Sequence, residues 1–326
     1  MKRFFLFLLL CFIVFAAPGC AAENEMMNGK TADKLSIVTT NFPGYDFARA
    51  IAGDQADIKM LLAPGEETHS FDPTPADIIA VENCDVFIYV GGESDQWVRD
   101  ILASTDTEHR QTVSMMDCVE VYEEEAKEGM MTERGHHHEE EHHHDGDAEE
   151  EYDEHVWTSV VNSMTIVSEI SSALCAADPE YRDVYEKNTE AYLERLQALD
   201  QDIRDTIAHA DTHMLLFGDR FPFLYFVREY GLDYYAAFPG CASETEPNAS
   251  TIAFLIDKGR SEHTPVVCKE AMSNGNIAKA IAEECGAKVE PLYACDNIPA
   301  DDFIHGETYI SLMRRNLDVL KEALYR

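Results

Sequence analysis

The stretch PEYRDVYEKNTEAYLERLQALDQDIRDTIAHA, residues 179–210, decides how the rest of the chain is read. Val184, Tyr185, Tyr192, Leu193, Leu196, Leu199, Ile203 and Ile207 recur at helical spacing, with charged residues between them. Pro179 stands at the start, where its missing N–H would be unpaired in any case. About thirty helical residues span roughly 45 Å, more than one small domain needs. The expectation is a rigid helix connecting two lobes, with a helix lying along one larger domain as the alternative.

On both sides of this stretch, strand and helix patterns alternate. Before it, strands are expected at 35–40, 58–62, 85–90 and 111–114, and helices at 43–52, 75–82 and 94–102, the last capped by Ser94. A helix over 158–176 leads to the break at Asp178 and Pro179. After it, strands are expected at 214–217, 234–238, 265–268 and 288–293, with helices at 221–230, 248–258, 276–285 and 309–325. This alternation predicts βαβ units and parallel sheets. The fold class is α/β: two lobes with central β-sheets flanked by helices, divided as 35–178, a connecting helix 179–210, and 211–326. Ligands in such folds collect beyond the carboxyl ends of strands.

The first residues read as a secretory signal over 1–19: Lys2 and Arg3, an apolar core from Phe4 to Ala16, then Ala17-Pro18-Gly19-Cys20. Small residues before a cysteine have the shape of a lipoprotein signal, with Cys20 lipidated and 20–34 as a polar linker. No later stretch reads as about 18–20 continuous apolar residues. The formal net charge of −37 argues against nucleic acid or anionic lipid as a partner and favours a cationic ligand. Past the signal and Cys20, seven cysteines remain, an odd number without a CxxC pair, so a zinc ribbon is excluded and at least one thiol is left over. Cys84, Cys268 and Cys285 lie in apolar patterns and are expected to be buried. HExxH, GxSxG and P-loop patterns are absent, which leaves enzymatic readings weak.

Histidine concentrates in one place. His136, His137, His138, His142, His143 and His144 fall within an acidic, low-complexity loop over 119–154, and His155 follows it. Imidazole is the commonest ligand for zinc and its neighbours, and the interleaved carboxylates attract a dication. His69, in the Gly- and Pro-punctuated loop after the strand at 58–62, is a second strand-end candidate. Asp219 and Asp296 stand at the corresponding points of the second half, where each also suits a turn or helix cap. Two imidazoles and two carboxylates form a mixed set suited to zinc or manganese.

The chain resembles the zinc/manganese substrate-binding lipoproteins of metal ABC transporters. The resemblance rests on PGEETHSFDPTPADI (64–78), the acidic and histidine-rich insertion, DEHVWTSVVNSMTIV (153–167), LLFGDRFPFLYFVREYGLDYY (215–235), FPGCASETEPNAST (238–251) and DDFIHGETYISLM (301–313). It implies two α/β lobes joined by one long helix, with the metal between them. By position, His69 and His155 match the first two ligands and Asp296 the last. Arg220 occupies the third slot, where His or Glu is expected; a guanidinium cannot ligate a cation. Asp219, one residue away, is the substitute, with Glu244 and Glu246 in reserve. The histidine-rich loop favours zinc, while two aspartates pull toward manganese. The implied partners are a divalent metal ion, the permease and ATPase subunits of an importer, and a membrane through Cys20; the chain is expected to be monomeric, to bind no nucleic acid and to perform no covalent chemistry. A surface adhesion or interaction lipoprotein, or a zinc buffer, with a structural metal is the alternative; a metallohydrolase would need an open coordination position.

Overall fold

LSIVT, residues 35–39, forms strand β1 (Leu35–Thr39), with Ile37 and Val38 buried on opposite faces. A strand apolar on both sides belongs inside a parallel sheet covered on both faces. The structure, a computed structural model, describes residues 34–66, 71–104, 110–131, 151–242 and 246–326. The first series runs β1, α1 (Phe42–Ala52), β2 (Ala56–Met60), α2 (Pro75–Asn83), β3 (Val86–Tyr89), α3 (Gln96–Ser104) and β4 (Gln111–Ser114). Its four strands are parallel in the order β2-β1-β3-β4. Asn41 caps α1 by accepting from the Gly44 amide, and Thr74 with Asp77 forms a capping box on α2, so both helices start where polar caps stand.

Two helices follow: α4 (Val160–Ala177), capped by Ser159, and α5 (Arg182–Ala208). Helix α4 is long and apolar enough to cross a membrane, but its Ile166, Val167, Ile170 and Leu174 are fully buried in the core. Helix α5 has 27 residues, a length of about 40 Å. It begins three residues later than its sequence pattern suggests, because Pro179–Tyr181 form a separate 3₁₀ turn. Its buried stripe is Tyr185, Thr189, Tyr192, Leu196, Leu199, Ile203, Thr206 and Ile207.

The second series is β5 (Met214–Leu216), β6 (Arg220–Phe221), α6 (Leu224–Tyr230), β7 (Asp233–Tyr235), β8 (Phe238–Pro239), α7 (Ala249–Ser261), β9 (Val266–Glu270), α8 (Asn276–Cys285), β10 (Lys288–Leu292), α9 (Ala300–Ile304) and α10 (Tyr309–Leu324). Parallel pairs β5–β7 and β9–β10 join through a bridge between Phe217 and Cys268, giving the lateral order β7-β5-β9-β10. The strand expected over 234–238 divides into β7 and β8, and the helix expected from 221 starts at Leu224 because Arg220 and Phe221 pair with β8 instead.

Lys34–Arg326 form one compact unit, and α5 packs against α1, α4 and α10. Buried Asp46 ties three helices: its carboxylate accepts from the Tyr192 hydroxyl at 3.1 Å and the Tyr309 amide at 2.9 Å, and pairs with Arg49. Cys84 and Cys268 are buried as expected and Cys285 is half-buried; none of the seven cysteines is in a disulfide.

Candidate metal centre

Asp153, Glu154 and His155 are all buried, at 1%, 5% and 2% exposure, although each carries an ionisable group. Such burial requires partners. Asp153 Oδ1 accepts from the His155 amide at 2.8 Å and lies 3.1 Å from His155 Nδ1. Glu154 Oε1 accepts from the Ser94 amide at 2.9 Å. Ser94 therefore does not cap a helix: Glu93–Asp95 form a 3₁₀ turn and α3 starts at Gln96. A Cβ on Gly92 would lie 2.4 Å from Glu154 Oε1, so only glycine lets the carboxylate cross the backbone there.

The His155 turn is held from the second half as well. The Tyr225 hydroxyl donates to the Asp153 carbonyl at 2.7 Å, and Trp157 Nε1 donates to the Ala294 carbonyl at 2.8 Å. Ala294 is two residues from Asp296, which brings Asp296 beside His155. Burial disfavours the imidazolium, but the charge and hydrogen bond of Asp153, and then the charge of Asp296, outweigh it and raise the pKa above its ordinary value. With Nδ1 committed to Asp153, Nε2 is the ring atom that could ligate a metal, as in carboxylate–histidine–metal arrangements that fix tautomer and ring plane.

Asp296 follows Cys295, whose φ of +63° is left-handed and unusual for a side chain larger than glycine. Its neighbour Asn297 is buried and donates from Nδ2 to the carbonyls of Ala63 and Glu66, both at 2.8 Å. Asn297 thus clamps the loop leading to His69. His69 itself lies outside the described residues, but Leu62 and Phe71 on either side of it line a pocket with Asn41, Glu154, His155 and Trp157.

Asp219 follows β5, where its carbonyl accepts from the Ala237 and Phe238 amides. Its Oδ1 accepts from the Arg220 amide at 3.1 Å and its Oδ2 from the Ser273 hydroxyl. The Arg220 guanidinium points at the Ala242 carbonyl, 3.4 Å away. Glu246 is exposed, and Glu244, Cys20 and the six loop histidines from His136 to His144 lie outside the described residues.

The structure adds Glu270, which sequence reasoning passed over. It ends β9, and burial, followed by the charges of Asp296 and Asp219, raises its carboxyl pKa above the usual carboxylate range. The rule that selected Asp219 and Asp296, an acid at the carboxyl end of a strand, selects Glu270 too. Asp153, two residues before His155, was likewise legible as an imidazole partner. Among the described residues no three His, Cys, Asp or Glu side chains stand close enough to hold one ion together. What is assembled is an imidazole oriented by Asp153, with Asp296 among the charges that act on it.

The sequence profile described as zinc-uptake complex component A, periplasmic (ZnuA), matches residues 37–323. The chain belongs to the ZnuA family. Among its relatives, the high-affinity zinc uptake system protein ZnuA of Bacillus subtilis is 30% identical over 314 residues, covering 96% of this chain and 95% of that protein. The zinc-binding lipoprotein AdcA of Streptococcus pneumoniae is 31% identical over 300 residues, 91% of this chain. The chain spans 57% of the length of AdcA. The Zn(II)-bound ZnuA-like domain of S. pneumoniae AdcA superposes with a TM-score of 0.70 at 28% identity, covering 90% of this chain and all of that domain. The metal-dependent lipoprotein YcdH of B. subtilis gives 0.73 at 28% identity, covering 89% and 100%. Parallel sheets, flanking helices and one long helix are thus the architecture of the family.

Proposed function

We propose that this ZnuA-family chain captures zinc outside the cytoplasm and delivers it to the permease and ATPase of an ABC importer. The observation that carries the reading is the buried His155 imidazole, oriented by Asp153 and set beside Asp296. Zinc is the cargo, held by His69, His155 and Asp296, with the fourth donor from the second half. Imidazole and carboxylate together suit zinc, and the names of the relatives favour zinc over manganese. The two lobes are assigned to 35–178 and 211–326, and the histidine-rich segment is assigned as an accessory collector. Lipidation at Cys20 would hold the protein on the outer face of the cytoplasmic membrane. The role is binding and transfer rather than catalysis. Ligation displaces the imidazole proton, so affinity falls as pH drops through the His155 pKa.

The test is a competitive zinc and manganese titration of the whole mature chain, a deletion of residues 135–146, and a His69→Ala/His155→Ala variant. One tight zinc site that survives the deletion and is lost in the double variant is expected. Tight binding that leaves with the loop and ignores both histidines would replace the interlobe site with a metal buffer or interaction module.

A further inference from the structure

Between β4 and the histidine-rich segment the backbone leaves the first half and crosses onto the second. We propose that residues 122–131 are a clasp, a strap that unfastens locally and whose release is the first step in parting the two halves. Its root belongs to the first half. Glu123 bridges antiparallel to Tyr152, the Glu124 amide donates to the Glu151 carbonyl at 2.8 Å, and the Asp153 amide donates to the Tyr122 carbonyl at 3.0 Å. The strap is thus paired with the backbone that returns toward α4. Its other contacts are on the second half. The Tyr122 ring stacks on Tyr225 at 5.1 Å and lies 4.3 Å from the Arg228 guanidinium. Glu124 Oε1 accepts from the Cys241 amide at 2.6 Å. Lys127 pairs with Asp233 and sits 4.4 Å from the Tyr234 ring. Gly129, at φ +85°, turns the strap against α7, where a Cβ would overlap the Phe254 ring. The Met131 amide then donates to the Ala237 carbonyl at 3.0 Å.

The two halves also meet at α10, and the contacts there differ in kind. The Tyr309 hydroxyl is fully buried, donates to the Trp157 carbonyl at 2.7 Å and accepts from the Ser163 hydroxyl at 3.1 Å. Its ring packs edge-on against Phe47, and Asp46 holds its amide. A buried, satisfied network of this sort opens only with the core. The strap has neither a helix nor a ladder of its own. The Asp233 side chain is 60% exposed, and Arg228 and Glu125, 3.7 Å apart, are 42% and 39% exposed. Ion pairs this exposed add little, so the strap is the part that lets go first. Native cysteines mark the order. The Cys241 thiol lies at the strap root, where burial and then the charges of Asp153 and Glu124 raise its pKa. Cys295 is buried where the halves meet, within reach of the charges of Asp296 and Asp46. Cys84 and Cys268 are fully buried in the cores of the first and second sheets.

The experiment pulses the whole mature chain, metal-free and reduced, with a maleimide under native conditions, and reads each cysteine by peptide mass spectrometry. The variants are Lys127→Glu, Lys127→Glu/Asp233→Lys and Gly129→Val. In the parent, Cys241 is expected to react at least about tenfold faster than Cys84 and Cys268, with Cys295 between them. Lys127→Glu is expected to speed Cys241 about fivefold, and Gly129→Val by more, with Cys295 accelerating alongside and Cys84 and Cys268 unchanged. Restoring the pair in Lys127→Glu/Asp233→Lys returns Cys241 toward the parent rate. Cys241 at the parent rate in both Lys127→Glu and Gly129→Val overturns the clasp. So does a rise at Cys241 with Cys295 unchanged, which makes the strap a surface flap. An equal rise at Cys84 and Cys268 in Lys127→Glu overturns it as well, because the strap then opens only with the whole fold. No ion takes part in these rates, so their outcome leaves zinc capture to its own test.

Discussion

Asp153 shows how much one side chain does at the centre. It closes the turn through the His155 amide and polarises the ring through Nδ1. Asp153→Asn keeps an oxygen for the amide but removes the charge that raises imidazole basicity. Zinc affinity is expected to fall about 10–100-fold with little change in the melting temperature of the metal-free protein, measured by chelator competition and calorimetry. Asp95 behaves differently. Burial pushes it up to about 6, partly offset by the amides of Val90 and Gly91 that donate to it. In the folded protein it holds a proton that the unfolded chain releases near 3.8. The stability this proton confers is therefore complete below about pH 4, is lost as pH rises toward 6, and stays lost above it. The loss is on the order of 3 kcal/mol. Asp95→Asn removes that titration, so the metal-free variant should show a flatter stability profile between pH 4 and 6 in urea melts. A decline as steep as the parent's would place the titration elsewhere.

Helix α5 is the element on which the rest is assembled. Its apolar stripe was legible because 27 residues carry enough turns for the period to be unmistakable, whereas β6 and β8, two residues each, carry no period at all. The same difference explains the ends. Thr74, Asn41 and Ser159 cap as their types predict, but the role of Ser94 depended on Glu154, sixty positions away, which no local pattern encodes. Leu196 is fully buried at the middle of the stripe, while Val184 near its start is 38% exposed. Leu196→Ala is expected to cost about 2–5 kcal/mol and Val184→Ala within about 0.5 kcal/mol, compared by denaturant unfolding of the metal-free chain. Equal losses at the two positions would mean that α5 is not a core helix.

At the scale of the molecule, alternation of strand and helix made the α/β class readable, and the spacing of candidate ligands at strand ends pointed to one edge of each sheet. What composition concealed was the path of the acidic segment before the histidines. Residues 119–131 are irregular, as expected, and run across the second half: the Tyr122 amide donates to the Tyr225 hydroxyl, Lys127 pairs with Asp233, and the Met131 amide donates to the Ala237 carbonyl. A run of Glu and Lys has no amphipathic signal, so only tertiary partners reveal its course. Glu270 escaped for a related reason: a single acid at the end of VVCKE has no distinguishing spacing, and its meaning comes from what neighbouring strands place beside it.

The bonds from Tyr225 and Trp157 to the His155 turn have a consequence for time rather than affinity. They fasten the His155 turn to the second half of the chain without any bound ion. Under the proposed zinc capture, release of an ion held by His155 would have to rupture them, so its dwell time would be set by a protein–protein fastening as well as by the metal bonds. Such a protein would keep its ion through many collisions with chelators and yield it quickly only to a receptor that competes for those same fastenings.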